Sequence, residues 1–166
     1  MAIETLQRFV LFLMLIAAQV LVFGHIRLFG YAMPLLYVYF VITTRRGYPR
    51  WATLLWSFAL GLIVDVFSNT QGAAAASLTL VGLLQPYLLE LFLSRETAPN
   101  LKVSIYSIGR VRFLALATVL TFIHCVVFFS LEMFTFVDWQ TWTCCALGSA
   151  LLTLMMILGL ECVRKP

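Results

Sequence analysis

Apolar residues run in six long stretches along the chain, near 6–23, 28–43, 51–67, 72–93, 113–133 and 142–163, each parted from the next by a short polar or charged segment. The hydrocarbon core of a bilayer is about 30 Å thick and takes roughly 20 apolar residues to cross as a helix. The pattern therefore predicts an all-α polytopic membrane protein of six transmembrane helices, with residues 1–166 forming a single six-helix domain. The connections leave no room for a separate soluble domain, so any activity sits in or at the membrane.

The polar positions inside these stretches are ordered. In the third, Thr53, Ser57, Gly61 and Asp65 recur every four residues, which lays small and polar groups along one side of a helix. The fourth answers with Gly72, Ala75, Thr79, Gly82, Pro86 and Glu90 at steps of three and four. Small faces let helices approach closely in lipid, where packing and interhelical hydrogen bonds replace the hydrophobic effect. The short turn between them, with Ser68, Asn69 and Thr70, predicts an antiparallel hairpin that directs Asp65 into protein. There the carboxylate is expected to accept from the 68–72 amides and from Ser68 or Thr70, with Arg27 as a neutralising cation. The fifth stretch carries Ala117, Thr121, His124 and Glu132 along one side, and the sixth carries Ala146, Ala150 and Thr153. Gln19, Gln85 and His124 lie at depth, and Pro86 is expected to kink the fourth helix and free a carbonyl for another helix to satisfy.

Composition agrees on the solvent: 63% hydrophobic and 11% charged residues, with a mean hydropathy of +1.00, describe a chain built for lipid. Arg8 ahead of an apolar run invites a secretory-signal reading, but the run is long for one and no A-x-A-like site follows, so it is read as a span. The net charge of +4 is a topology signal rather than a nucleic-acid footprint. Arg8, the 45–50 arginines, the 95–112 cations, Arg164 and Lys165 fall on alternate sides starting from the N-terminus, and of the eleven basic residues only Arg27 falls on the other. Cations in short loops stay cytoplasmic, so both termini are expected inside, with some attraction to anionic headgroups there. The 94–112 connection reads equally as a surface-lying helix or a solvated loop.

Motifs for chemistry are absent. Cys125, Cys144, Cys145 and Cys162 lack metal-ligand spacing and read as small buried hydrophobes. His124 has no partner at i+4, so an interhelical hydrogen bond is favoured over metal binding or catalysis. Glu90, Glu132 and Glu161 lie near span ends, within reach of headgroup water. Neither the phosphate-binding G-x-x-x-x-G-K-[ST], nor H-E-x-x-H, nor G-x-S-x-G occurs. No catalytic residue, metal or cofactor is assigned.

The stretch "GLIVDVFSNTQGAAAAS", residues 61–77, resembles the signature of the rod shape-determining MreD family: a third span ending in Gly, three apolar residues and Asp, then a small polar turn, then a Gly opening an alanine-rich span. Gly61, Asp65, Ser68 and Gly72 hold those positions, and Gln71 stands where members often have Pro or another apolar residue. "FIHCVVFFSLEMFTF" is similar to the fifth span in some lineages. The resemblance implies a non-enzymatic scaffold in the bacterial inner (cytoplasmic) membrane, part of the cell-elongation and peptidoglycan-synthesis machinery. It implies a fold similar to the substrate-binding subunits of energy-coupling-factor transporters. It also implies binding to MreC and, through it, to MreB and to a SEDS glycosyltransferase of the RodA type with its penicillin-binding transpeptidase.

Two other readings stay open. A vitamin-type transporter subunit would use the same helices to enclose a ligand, and should show an A-x-x-x-A docking face on span one, where Ala17 and Ala18 instead stand side by side. A membrane enzyme would need Glu132, Arg27 or another ionisable group facing Asp65.

Overall fold

The structure, a computed structural model, describes residues 2–22, 33–93, 101–133 and 139–163, with side chains of the first helix from Leu6 onward. No strand occurs among them. The helices are α1 (Ala2–Leu21), α2 (Val38–Ile42), α3 (Arg50–Ser68), α4 (Ala73–Phe92), α5 (Ile105–Ile108), α6 (Arg110–Glu132) and α7 (Trp139–Val163). Four of them, α3, α4, α6 and α7, are long and apolar enough to cross a membrane, and α1 adds a shorter apolar stretch from Leu6 to Leu21. Large apolar side chains such as Leu62, Val66, Leu83, Phe122, Leu147 and Met155 point outward, as lipid-facing positions must.

Local sequence explains the ends of the central hairpin. Pro49, in extended conformation, opens α3, and its carbonyl accepts from the Ala52 and Thr53 amides. Asn69 closes the helix in the left-handed region at φ 55°, and Gly72, at φ 81°, opens α4. Two left-handed residues three positions apart reverse the chain within the turn, and Gly and Asn are the residues that reach that region most readily. Antiparallel α3 and α4 make the most extensive helix contact in the bundle, followed by α4 with α6 and α6 with α7.

The second expected span departs from expectation. Among the described residues of 28–43 only Val38–Ile42 is helical, while Met33–Leu35 is non-helical and Leu36–Tyr37 form a turn. Pro34 gives the reason, because it lacks the amide a helix would use and its ring clashes with the preceding turn. The segment is nonetheless in the interior: every residue from Pro34 to Ile42 is buried. Non-helical backbone at membrane depth persists only where protein satisfies it. Here Ser149 Oγ accepts from the Met33 amide at 2.9 Å and Thr153 Oγ1 from the Leu35 amide at 3.0 Å. Gln19 does both jobs, donating to the Pro34 carbonyl at 3.0 Å and accepting from the Leu36 amide at 3.2 Å.

Apolar packing closes the bundle around this segment. Phe12 of α1 stands edge-on to Trp56 of α3 and Phe40 of α2, with ring centroids 5.1 and 5.8 Å away. Leu60, Leu78, Leu116, Leu120 and Ile157 are completely buried between the long helices.

Three further expectations change. Glu161 is not at a wet span end: it is fully buried, and its carboxylate accepts from the Tyr39 hydroxyl at 2.6 Å and the Ile105 amide at 3.2 Å. It thereby joins the last turns of α7 to α2 and to the connection before α6. Glu90 and Glu132 are exposed. Of the cysteines, Cys125 and Cys145 are buried, but Cys144 and Cys162 lie on the outer surface of α7, because adjacent residues on a helix cannot share a face. In the 94–112 connection the described part is neither a long surface helix nor an open loop. It is the single turn α5, capped by reciprocal Ser104 and Ser107 bonds, and Gly109 at φ 93° turns the chain into α6.

Candidate functional site

Asp65 and its surroundings come first, because a carboxylate in a membrane helix asks for a partner. Asp65 is buried, one turn before the C-terminus of α3. Its Oδ1 accepts from the Ala74 amide at 2.9 Å and from the Thr70 hydroxyl, and its Oδ2 accepts from the Ala75 amide at 2.7 Å. Ala74 and Ala75 lie in the first turn of α4, where amides have no intrahelical acceptor. Gly72, the residue in the N-cap position, has no side chain to offer. A carboxylate from the neighbouring helix takes over the N-cap's task and sits where the helix dipole favours negative charge.

This differs in detail from the expected arrangement. The 68–72 amides do not reach the carboxylate: the Thr70 amide goes to the Asp65 main-chain carbonyl at 3.1 Å and the Gly72 amide to the Thr70 carbonyl at 2.8 Å. Ser68 and Asn69 are exposed on the turn, Asn69 contributing its left-handed conformation rather than a side-chain bond. Arg27 lies outside the described residues.

Gly61, one turn before Asp65, makes the arrangement reachable. A Cβ there would fall 2.5 Å from the Ala75 Cα, 2.7 Å from the Ala74 carbonyl oxygen and 2.8 Å from the Ala75 amide nitrogen. Main chain meets main chain at this point. Farther along the hairpin, Gly82 faces Ser57, whose Oγ would lie 2.6 Å from an added Cβ. Ser57 turns its hydroxyl back onto the Thr53 carbonyl at 2.7 Å, leaving its slim side chain as the contact surface. The Thr53, Ser57, Gly61 and Asp65 stripe is buried along its whole length.

Of the other polar residues singled out, His124 is completely buried on α6. Its Nε2 is 2.9 Å from the Tyr37 hydroxyl, with the two rings nearly perpendicular. The ring also lies beside the Ser77 backbone of α4, while Nδ1 has no partner of hydrogen-bond geometry among the described residues. Gln85 is buried near the opposite end of the hairpin and donates to the Thr44 carbonyl at 3.1 Å. Pro86 sits within α4 beside it.

The structure thus joins Gly61, Asp65 and the first turn of α4 in one cluster, and sets His124, Gln85 and Pro86 in others. Asp65 and Arg50 are fifteen residues apart on α3, about 22 Å at 1.5 Å per residue, and Gln85 and Pro86 lie at the Arg50 end of the hairpin, away from Asp65. Sequence reasoning missed Ser149, Tyr37, Tyr39 and the buried role of Glu161. Two signals pointed to the first: Pro34 within a supposed span, and Ser149 one turn from Thr153. No family model, curated protein or solved structure matches the chain.

Proposed function

We propose that this protein is a non-catalytic membrane scaffold of the bacterial cell-elongation machinery, of the MreD kind. In this reading it lies in the inner membrane with both termini in the cytoplasm, as the cation asymmetry argues. In this reading the four long apolar helices, α1 and the stretch that includes the non-helical 33–37 segment make six crossings. The partners are MreC and, through it, the wall synthases and MreB.

One observation carries the reading. The residues of the Gly-x-x-x-Asp signature are engaged in building the hairpin: Gly61 admits the first turn of α4, and both Asp65 oxygens hold that turn's amides and the Thr70 hydroxyl. A carboxylate so occupied shapes the outer end of the bundle, where a periplasmic partner's membrane helix would rest.

The non-helical 33–37 segment favours a second reading, because broken helices inside a bundle form the binding sites of many transporters. Against it, the Met33, Leu35 and Leu36 amides are taken by Ser149, Thr153 and Gln19 rather than held ready for a substrate. Purification from native membranes in mild detergent, followed by mass spectrometry, separates the two. Co-purifying wall-synthesis proteins support the scaffold. A coupling ATPase supports the transporter subunit, and neither class of partner defeats the scaffold reading.

A further inference from the structure

An open pocket lies at the end of the α3–α4 hairpin remote from Asp65, lined by Arg45, Arg46, Tyr48, Arg50, Gln85 and Glu90 among others. We propose that it binds the phosphate of an anionic phospholipid headgroup in the leaflet that the cation asymmetry assigns to the cytoplasm. The inference rests on this pocket and on that orientation, and not on the scaffold reading.

Charge and donor geometry select the ligand. Among the described residues the lining holds three arginines and one acidic residue, Glu90. A guanidinium presents five N–H donors in a planar fork that matches phosphate oxygens. Arg50 uses Nη1 toward the Tyr87 hydroxyl at 3.1 Å, with its guanidinium carbon 5.0 Å from that ring's centroid, which holds the group in place and leaves further donors. Tyr48 is fixed in the same way, the Arg8 guanidinium carbon lying 3.8 Å and that of Arg45 5.9 Å from its ring centroid. The nineteen-residue helix α3 begins at Arg50 with no side-chain cap on its first amides, so the positive end of its dipole adds to the arginines.

Position selects the source. Trp51 and Tyr87, next to the pocket on α3 and α4, are 71% and 53% exposed, and exposed Trp and Tyr at span ends mark the headgroup level of a bilayer. Basic pockets between membrane helices at that level suit lipid headgroups. The Arg46 amide donates to the Leu101 carbonyl at 3.0 Å, so the connection before α6, with exposed Lys102, is docked at the same rim. A lipid seated here would touch the 44–48 loop, both helices of the hairpin and that connection.

The test uses the full chain purified in phosphatidylcholine-containing micelles, with melting temperature followed as phosphatidylglycerol replaces phosphatidylcholine at constant total lipid. A ligand that binds only the folded state raises the melting temperature with the logarithm of 1 + [ligand]/Kd, so the rise sets in near the Kd. Phosphatidylglycerol should give a rise that inorganic phosphate does not. The pair Arg46→Gln and Arg50→Gln should shift the onset of that rise about 25-fold to higher lipid, roughly fivefold per charge. Should that double variant fail to fold, Glu90→Gln, at an exposed position, should move the onset severalfold the other way. An unchanged onset in the variants, or a phosphatidylglycerol curve no different from that in phosphatidylcholine alone, would overturn the site. A full rise with inorganic phosphate alone would overturn its assignment to lipid.

Discussion

A Cβ placed on Gly61 would lie 2.5 Å from the Cα of Ala75, a separation that two saturated carbons do not tolerate. The first turn of α4 is pressed against α3 at this point, and that closeness puts its amides within reach of Asp65. The glycine and the aspartate, one turn apart, are two halves of one device: the first removes bulk, and the second supplies acceptors.

Gly61→Ala should therefore destabilise the protein more than Gly82→Ala. At Gly61 the obstacles are main-chain atoms of Ala74 and Ala75, which move only if the helices part; at Gly82 the nearest is the Ser57 hydroxyl, which can rotate. Overpacking of this kind costs about 1–3 kcal/mol, and Gly61→Ala additionally stretches the Asp65 bonds. Thermal melting in detergent should rank wild type, Gly82→Ala, then Gly61→Ala. Equal melting temperatures for the two variants would show that the close approach at Ala75 is not what the structure depends on.

The broken segment yields a second expectation. Ser149→Ala leaves the part-buried Met33 amide, and Thr153→Ala the buried Leu35 amide, without its acceptor. An unsatisfied buried donor costs about 1–3 kcal/mol. Thr153→Ser keeps the hydroxyl and should recover most of the loss, whereas Thr153→Val, similar in shape but without the acceptor, should not. Melting temperatures in which Val matches wild type and Ser does not would reverse the argument.

How much of this was legible in the sequence depends on which residues carried the information. The α3–α4 hairpin was readable because small residues at four-residue spacing leave few other uses in lipid, and a short polar turn ending in Gly72 leaves few other folds. What the sequence did not disclose was the identity of the acceptor's partners. Asp65 reaches past the turn to Ala74 and Ala75, since a helix start is short of acceptors while the turn amides find theirs in main-chain carbonyls. Apolar periodicity also hid the break at Pro34, because a buried extended segment and a buried helix are both continuously apolar. Glu161 was misread for a related reason: closeness to a helix end says nothing about whether another element covers it, and here Tyr39 and Ile105 do.

Orientation gives a third expectation. In a background lacking Cys125, Cys144, Cys145 and Cys162, a cysteine at exposed Gln71 should react with an impermeant reagent from outside intact cells. One at exposed Gly47, on the opposite side of the hairpin, should react only after permeabilisation. Labelling in the reverse pattern would invert the topology and with it the assignment of the basic pocket to the cytoplasmic leaflet.

The central claim is that Asp65 serves as a cap between helices, required for its two acceptor oxygens, and that partner binding depends on the hairpin it closes. Oδ1 serves Thr70 and Ala74, and Oδ2 serves Ala75. Asp65→Asn keeps one carbonyl oxygen but turns an NH2 group toward the other amide, so it retains one of two amide bonds; Asp65→Ala retains neither. At about 1–3 kcal/mol for each buried donor left unpaired, stability should fall in the order wild type, Asn, Ala. The most direct measurement is co-purification of wall-synthesis partners with the Asp65→Asn protein, read against its melting temperature. The two should decline together, to a level between wild type and Asp65→Ala. An Asn variant that melts like wild type yet brings down no partner would contradict the claim, since it would mean that the charge of Asp65, and not the hairpin it holds, is what the partners require.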